Sequence, residues 1–265
     1  MKRHTALALR PIAAIGGATV RFVGGFGHFG AFVVDSARAV TDVATWGPML
    51  VLHMRRIGVD SLPIALFIAG FTGIVLALQA SYTFTGAIPL YFVGTLVGKT
   101  MILELGPVLT GLALAGRVGA NIAAQIGTMR VSDQIDALET MAYDPFAYLV
   151  VPRVLAGALM FPIVVIFADT LGVLAGWITA INLLDMSTQE FIRGLRLFYV
   201  PFDITYGLIK TCSFGFLVTL MGCFQGFSTS GGAEGVGVST TRAVVISSML
   251  ILLFDAFWAV ILLQK

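Results

Sequence analysis

Long apolar runs organise this chain. Five stretches carry two charges or fewer each: residues 61–84 with none, 87–116 with Lys99 and Glu104, 154–184 with Asp169, 204–226 with Lys210, and 243–263 with Asp255. A helix needs about 20 apolar residues to cross the hydrocarbon core of a bilayer. The pattern therefore predicts an all-α membrane protein with five transmembrane helices. The second stretch is too long for one straight crossing. Residues 1–60 differ, because Arg21, Arg38, Arg55 and Arg56 are spread among apolar positions. That mixture predicts a basic helix lying in the membrane interface, apolar side down. The alternative is a short sixth span over residues 22–34. The chain thus divides into a basic interfacial region, 1–60, and a membrane domain, 61–265.

Composition supports the membrane class. The chain is 58% hydrophobic and 11% charged, where soluble domains are roughly a quarter charged. Thirty glycines suit close helix packing in lipid. The net charge of +2 gives no case for nucleic acid. Lys2, Arg3 and Arg10 resemble the start of a signal peptide, but the apolar run 11–20 is short and ends at Arg21; the segment is expected to be retained. Cys212 and Cys223 fall on one expected helix, too far apart along it to pair.

Basic residues set the expected orientation. Placing the N-terminus in the cytoplasm puts Arg117, Arg130, Arg153 and Arg242 inside as well, with Arg193, Arg196 and Lys265 outside. Five spans then leave the C-terminus on the outer, periplasmic side. Residues 185–203 read as a short amphipathic helix on that side. The link 86–89 reads as a short turn, and the glycine- and serine-rich segment 227–241 as irregular.

The cytoplasmic segment between spans two and three holds the clearest local pattern. Ser132 is the expected N-cap. Ile135, Leu138 and Met141 share one face, Asp133, Asp136 and Glu139 make the rest acidic, and Pro145 stops the helix. This is either an ordinary capped loop helix or a coupling helix that docks in a groove of a cytosolic partner. Gly98-Lys99-Thr100 has the look of a phosphate loop, but Gly94 is one residue too close and the segment is apolar. The chain accordingly has no nucleotide site of its own. Gly94xxxGly98, Gly172xxxGly176 and Gly222xxxGly226 read as helix-packing sites.

Charges in lipid need a partner or a cavity. Lys210 can pair with Asp255 or Glu104; Lys99 can snorkel outward; Asp169 and Asp255 read as structural. Glu104 precedes Gly106-Pro107, which is expected to kink the helix and open a polar pocket. Leu76, Leu78, Gln79 and Tyr82 combine apolar wall with polar tips, as an amphiphile site requires; interfacial anchoring of Tyr82 is the simpler alternative. The three histidines, His4, His28 and His53, form no cluster with carboxylates or cysteines, and no catalytic or metal-ligating spacing is present.

The runs Glu104-Leu-Gly-Pro-Val-Leu-Thr-Gly-Leu-Ala-Leu-Ala-Gly-Arg-Val-Gly-Ala-Asn121, Glu139-Thr-Met-Ala-Tyr-Asp-Pro145, Pro152-Arg-Val-Leu155, Gly231-Gly-Ala-Glu-Gly-Val-Gly237 and Thr240-Thr-Arg-Ala-Val-Val245 closely resemble the MlaE family of permeases. The resemblance covers residue 61 to the end. It implies a subunit of an ATP-driven phospholipid transporter in the bacterial inner membrane, serving outer-membrane lipid asymmetry. It implies a homodimer with a lipid cavity between the copies. The implied partners are a cytosolic ABC ATPase carrying ATP and Mg, a STAS-domain protein and a periplasmic hexamer of MCE domains. By resemblance the coupling helix is Asp133 to Met141, the interfacial elbow helix precedes residue 61, and the cavity residues are Leu76, Leu78, Gln79, Tyr82 and Glu104. Relatives can carry Arg just before the glutamate; here that position is Leu103, so Lys99, Lys210 or Arg117 must supply any charge partner. Two other readings remain open on residues alone: an ion-coupled secondary carrier, motivated by the intramembrane charges, and a non-transporting membrane scaffold.

Overall fold

The computed structural model describes residues 24–84 and 88–263. Lys2, Arg3, His4, Arg10, Arg21, Gly86 and Lys265 therefore lie outside the described residues. Nine helices run through the described part. They are α1 (residues 24–39), α2 (Val43–Ile57), α3 (Leu62–Thr83), α4 (Phe92–Val131), α5 (Gln134–Thr140), α6 (Phe146–Leu183), α7 (Thr188–Leu197), α8 (Pro201–Phe227) and α9 (Gly232–Leu263). No strand occurs among the described residues. Five stretches are long and apolar enough to cross a membrane: Val43–Thr83, Phe92–Val131, Phe146–Leu183, Pro201–Phe227 and Gly232–Leu262.

Several boundaries move from their expected places. The basic N-terminal region holds two helices, and α2 runs into α3 through a single 3₁₀ turn, Val59–Ser61. Asp42 caps α2, its carboxylate accepting from the Thr45 hydroxyl at 2.6 Å. Among the described residues, α1 is not one of the stretches long and apolar enough to cross a membrane. It docks by aromatic packing, Phe29 and Phe32 against Phe224 at 5.1 and 5.4 Å, with Phe146 stacked on Phe227 beneath them. The segment 227–241 is not an irregular loop; α9 begins at Gly232, and the positive φ of Gly231 and Gly232, 92° and 68°, makes the turn. Glycine content misled there, because a helix in lipid tolerates glycine where neighbours pack closely.

The second span reaches Val131, well past residue 116. At 1.5 Å per residue its 40 residues extend about 60 Å, twice the hydrocarbon thickness. α6, at 38 residues, is nearly as long. Both must project beyond the bilayer, and α5 joins their projecting ends. Gly106-Pro107 does not break α4. Two π-helical turns, Met101–Leu105 and Ala115–Gly119, bracket the segment and absorb the missing amide.

Close backbone approach holds the bundle. A Cβ on Gly73 would run into the Gly172 carbonyl, and one on Gly215 into the Gly157 carbonyl. These contacts bring α3 and α8 against opposite parts of α6. The three GxxxG pairs do face neighbours: Gly94 and Gly98 meet Phe191 and Leu195 of α7, Gly172 and Gly176 meet α3, Gly222 and Gly226 meet Ile122 and Ile126 of α4. α7 starts with a capping box, the Ser187 hydroxyl accepting from the Glu190 amide at 3.2 Å and the Glu190 carboxylate accepting from the Ser187 amide at 2.9 Å. Those bonds hold the Glu190 carboxyl below its usual range.

Gly73→Leu is expected to lower thermal stability in detergent by the equivalent of about 1–3 kcal/mol, the usual cost of overpacking. Gly47→Ala, where an added Cβ meets only Val43 at 3.9 Å, is expected to leave the melting temperature unchanged or raised. Thermal unfolding of the two variants checks both.

Candidate functional site

Lys210 organises the polar interior. It lies on α8 and is fully buried. An ammonium there needs acceptors on every side. Its Nζ donates to Glu104 Oε2 at 2.7 Å, pairs with the Asp255 carboxylate of α9, and donates to the Leu103 carbonyl at 3.1 Å. The last acceptor has a sequence origin. Pro107 has no amide to return to the carbonyl four residues back, and that carbonyl belongs to Leu103. The proline and the π turn thus create an acceptor, and a lysine from another helix uses it. The Tyr206 ring lies 5.3 Å from Nζ and closes one side. Near the cluster, Trp258 Nε1 donates to Ser213 Oγ at 2.9 Å, joining α9 to α8.

The remaining membrane charges divide. Lys99 pairs with Asp203 at the start of α8, 3.5 Å away, so it does not partner Glu104. Arg117 donates to the Ser61 hydroxyl. Asp169 enters no ion pair among the described residues. Its Oδ1 lies against Gly106 with no hydrogen-bond partner among the described residues. It borders a cleft of about 350 Å³ whose other walls include Ile102, Val165, Val173, Ile204 and Leu208. The expected structural pairing holds for Asp255 and fails for Asp169.

The expected amphiphile residues separate by face. Leu76 is buried in the core at 8% exposure. Leu78, Gln79 and Tyr82 are exposed, Tyr82 at 85%. They continue an exposed apolar stripe of α3 formed by Phe67, Phe71 and Val75. Glu104 stands apart in the Lys210 cluster, its side chain half-exposed. Sequence reasoning missed Asp203 and the Leu103 carbonyl. The latter was findable from the position of Pro107.

α5 exists, but its start differs from expectation. Ser132 ends α4, and Asp133 occupies the N-cap position in the left-handed region at φ 56°. Ile135 is buried and Leu138 half-buried, while Asp133, Asp136, Glu139 and Met141 are exposed. Met141 therefore leaves the face it shares with Ile135 by spacing, because the helix stops at Thr140. Asp136 pairs with Arg130 of α4 at 2.5 Å, tying α5 to the end of the long helix.

Residues 50–261 match a family model described as permease MlaE. A probable ABC transporter permease protein of Rickettsia felis is 38% identical over 240 residues, covering 91% of this chain and 93% of the relative. A probable ABC transporter permease protein of Synechocystis is 38% identical over 212 residues, covering 80% and 81%. The intermembrane phospholipid transport system permease protein MlaE of Haemophilus influenzae is 31% identical over 245 residues, covering 92% and 94%.

Lys210→Met strands two carboxylates near lipid, and breaking a buried pair costs about 3–5 kcal/mol. Its melting temperature is expected to fall sharply. The combined Lys210→Met, Glu104→Gln, Asp255→Asn variant is expected to recover most of that loss. Thermal unfolding in detergent distinguishes them; a single variant as stable as the parent would show that the ammonium is not held as described.

Proposed function

Because the chain belongs to the MlaE permease family, we propose that it is the membrane subunit of an ATP-driven phospholipid transporter, moving lipid between the inner and outer membranes and so maintaining outer-membrane asymmetry. The observation that carries this reading is the Lys210–Glu104–Asp255 cluster in the membrane interior, with the Glu104 side chain half-exposed. A bundle that only had to stand in lipid would do better with apolar residues at those positions. Two copies of the chain enclose the lipid. Leu78, Gln79 and Tyr82 on the outer stripe of α3 take acyl chains and the polar junction, and the half-exposed Glu104 presents a polar edge that Lys210 holds in place. Leu76 supports this wall from the core side.

The energy source is a partner ATPase that holds ATP and Mg. α5 is its docking element. Ile135 and Leu138 seat the helix on the permease, while Asp133, Asp136, Glu139 and Met141 face the cytosol. The Arg130–Asp136 pair transmits a push on α5 to α4, and α4 is continuous through its π turns to Glu104. Closure of the ATPase therefore reaches the lipid site through one helix. A STAS-domain protein on the cytosolic side and an MCE-domain hexamer on the periplasmic side complete the assembly in the bacterial inner membrane, with the N-terminus inside and the C-terminus outside.

The ion-coupled carrier reading drew on the intramembrane charges. Four of the five, Lys99, Glu104, Lys210 and Asp255, sit in ion pairs with partners from other helices, which removes most of its motivation.

Co-purification from native membranes tests the proposal. The parent chain is expected to carry an ATPase subunit and bound phospholipid identifiable by mass spectrometry. Glu139→Lys with Met141→Asp, both exposed, is expected to lose the ATPase at unchanged melting temperature. Retention of the ATPase by that variant would remove α5 as the docking element, and absence of both ATPase and phospholipid from the parent would remove the proposal.

A further inference from the structure

At the end of the bundle that bears α5, the turn of α2 before Ile57, the middle of α4 and the start of α6 enclose a second polar site. His53, Arg56, Arg117, Asn121, Gln125 and Arg153 line a small cavity of about 30 Å³. Three guanidiniums share it, and no carboxylate lines it. Among the described residues, none of the three enters a salt bridge; the arginines that do are Arg38 and Arg130. Arg117 has the Ser61 hydroxyl. Arg153 is only 6% exposed, and its Nη1 donates to the Leu149 carbonyl at 2.6 Å. Its Nε has no hydrogen-bond partner among the described residues.

This arrangement is costly as it stands. A buried guanidinium with an unmade hydrogen bond loses the desolvation energy of that donor, and like charges gathered at one cavity repel. An anion corrects both. The amides can join in: Gln125 Nε2 donates to Asn121 Oδ1 at 2.9 Å, which leaves the Asn121 amide nitrogen free to donate outward. Several forked donors converging on one point suit a tetrahedral oxyanion better than a planar carboxylate.

We propose that this cavity is a phosphate-binding site, and that its occupant is the headgroup phosphate of an anionic lipid. The volume seats phosphate oxygens at the mouth, not a whole headgroup. Arg56 and Asn121 are exposed, so the phosphate reaches the site from outside the bundle. α2, which supplies His53 and Arg56, also exposes Val51 at 72% and Leu52 at 42%, an apolar surface for acyl chains within a turn of the site. The occupant ties α2 to α4 and α6, and so fixes the N-terminal helices on the bundle. The site lies apart from Lys210 and does not depend on which cargo the chain carries. Loss of lipid transfer with this site intact, or the reverse, would separate the two readings.

The test is lipid titration of the full chain in detergent by native mass spectrometry, with dioleoyl phosphatidic acid and dioleoyl phosphatidylcholine as probes. Phosphatidic acid is expected to bind the parent about tenfold more tightly, the size of one charge-assisted hydrogen-bond contribution. Arg56→Gln is expected to lose that preference, while Arg55→Gln, the exposed neighbour outside the cavity, keeps it within about twofold. Thermal unfolding without lipid checks that each variant folds. Arg117→Lys, which keeps charge but loses the fork, is expected to weaken binding several-fold and serves if Arg56→Gln is unstable. Competition by inorganic phosphate in the parent but not in Arg56→Gln would uphold the anion site and assign it to free phosphate. Equal binding of the two lipids by the parent, or equal losses in Arg55→Gln and Arg56→Gln, would overturn the proposal.

Discussion

A lysine ammonium with no exposed surface sets the terms for the membrane half of this chain. Lys210 cannot be withdrawn to water, because α4, α8 and α9 surround it. Its charge has to be met inside by Glu104, Asp255 and the Leu103 carbonyl. Each acceptor comes from a different cause. Asp255 comes from the last span, α9. Glu104 lies in the π turn, where the helix widens and the side chain is half-exposed. The Leu103 carbonyl is open because Pro107 carries no amide. One interaction thus locks three helices, explains why Gly-Pro is tolerated mid-helix, and leaves one polar group at an accessible edge.

The remaining framework serves to position that cluster. Gly73 against Gly172 and Gly157 against Gly215 bring helices to backbone contact, so lateral adjustments in α6 are felt by both α3 and α8. α4 and α6 outrun the bilayer and share α5 at their ends. A device that moves lipid on command from a partner needs both features: an interior that does not deform freely and a lever that leaves the membrane. The exposed stripe from Phe67 to Tyr82 is the apolar surface that the proposed function assigns to acyl chains.

Much of this was legible from residues. The apolar runs specify five membrane-crossing stretches, and Ile135 with Leu138 specifies a short amphipathic helix between the second and third. What was hidden has physical reasons. Periodicity places a helix but not its phase, so Leu76 looked equivalent to Leu78 and Gln79 although it faces the core. Capping residues mark boundaries only where a helix has truly ended; Ser132 closes α4 and does not open α5. Glycine and serine at 227–241 read as loop by soluble rules, whereas close packing makes most of that segment helical. Partners across helices, such as Asp203 for Lys99, depend on tertiary placement that spacing along one chain does not encode. The basic site at His53, Arg56, Arg117 and Arg153 is scattered over a hundred residues and appears only when three helices meet.

The central claim is that this permease moves phospholipid with energy drawn from a separate ATPase. The most direct measurement reconstitutes the chain with its co-purified subunits in liposomes and follows a fluorescent phospholipid passing to acceptor vesicles. The account predicts transfer that requires ATP, stops with ADP, and is absent when the chain is reconstituted alone. Transfer or ion movement driven by a gradient through the chain alone, indifferent to ATP, would contradict it.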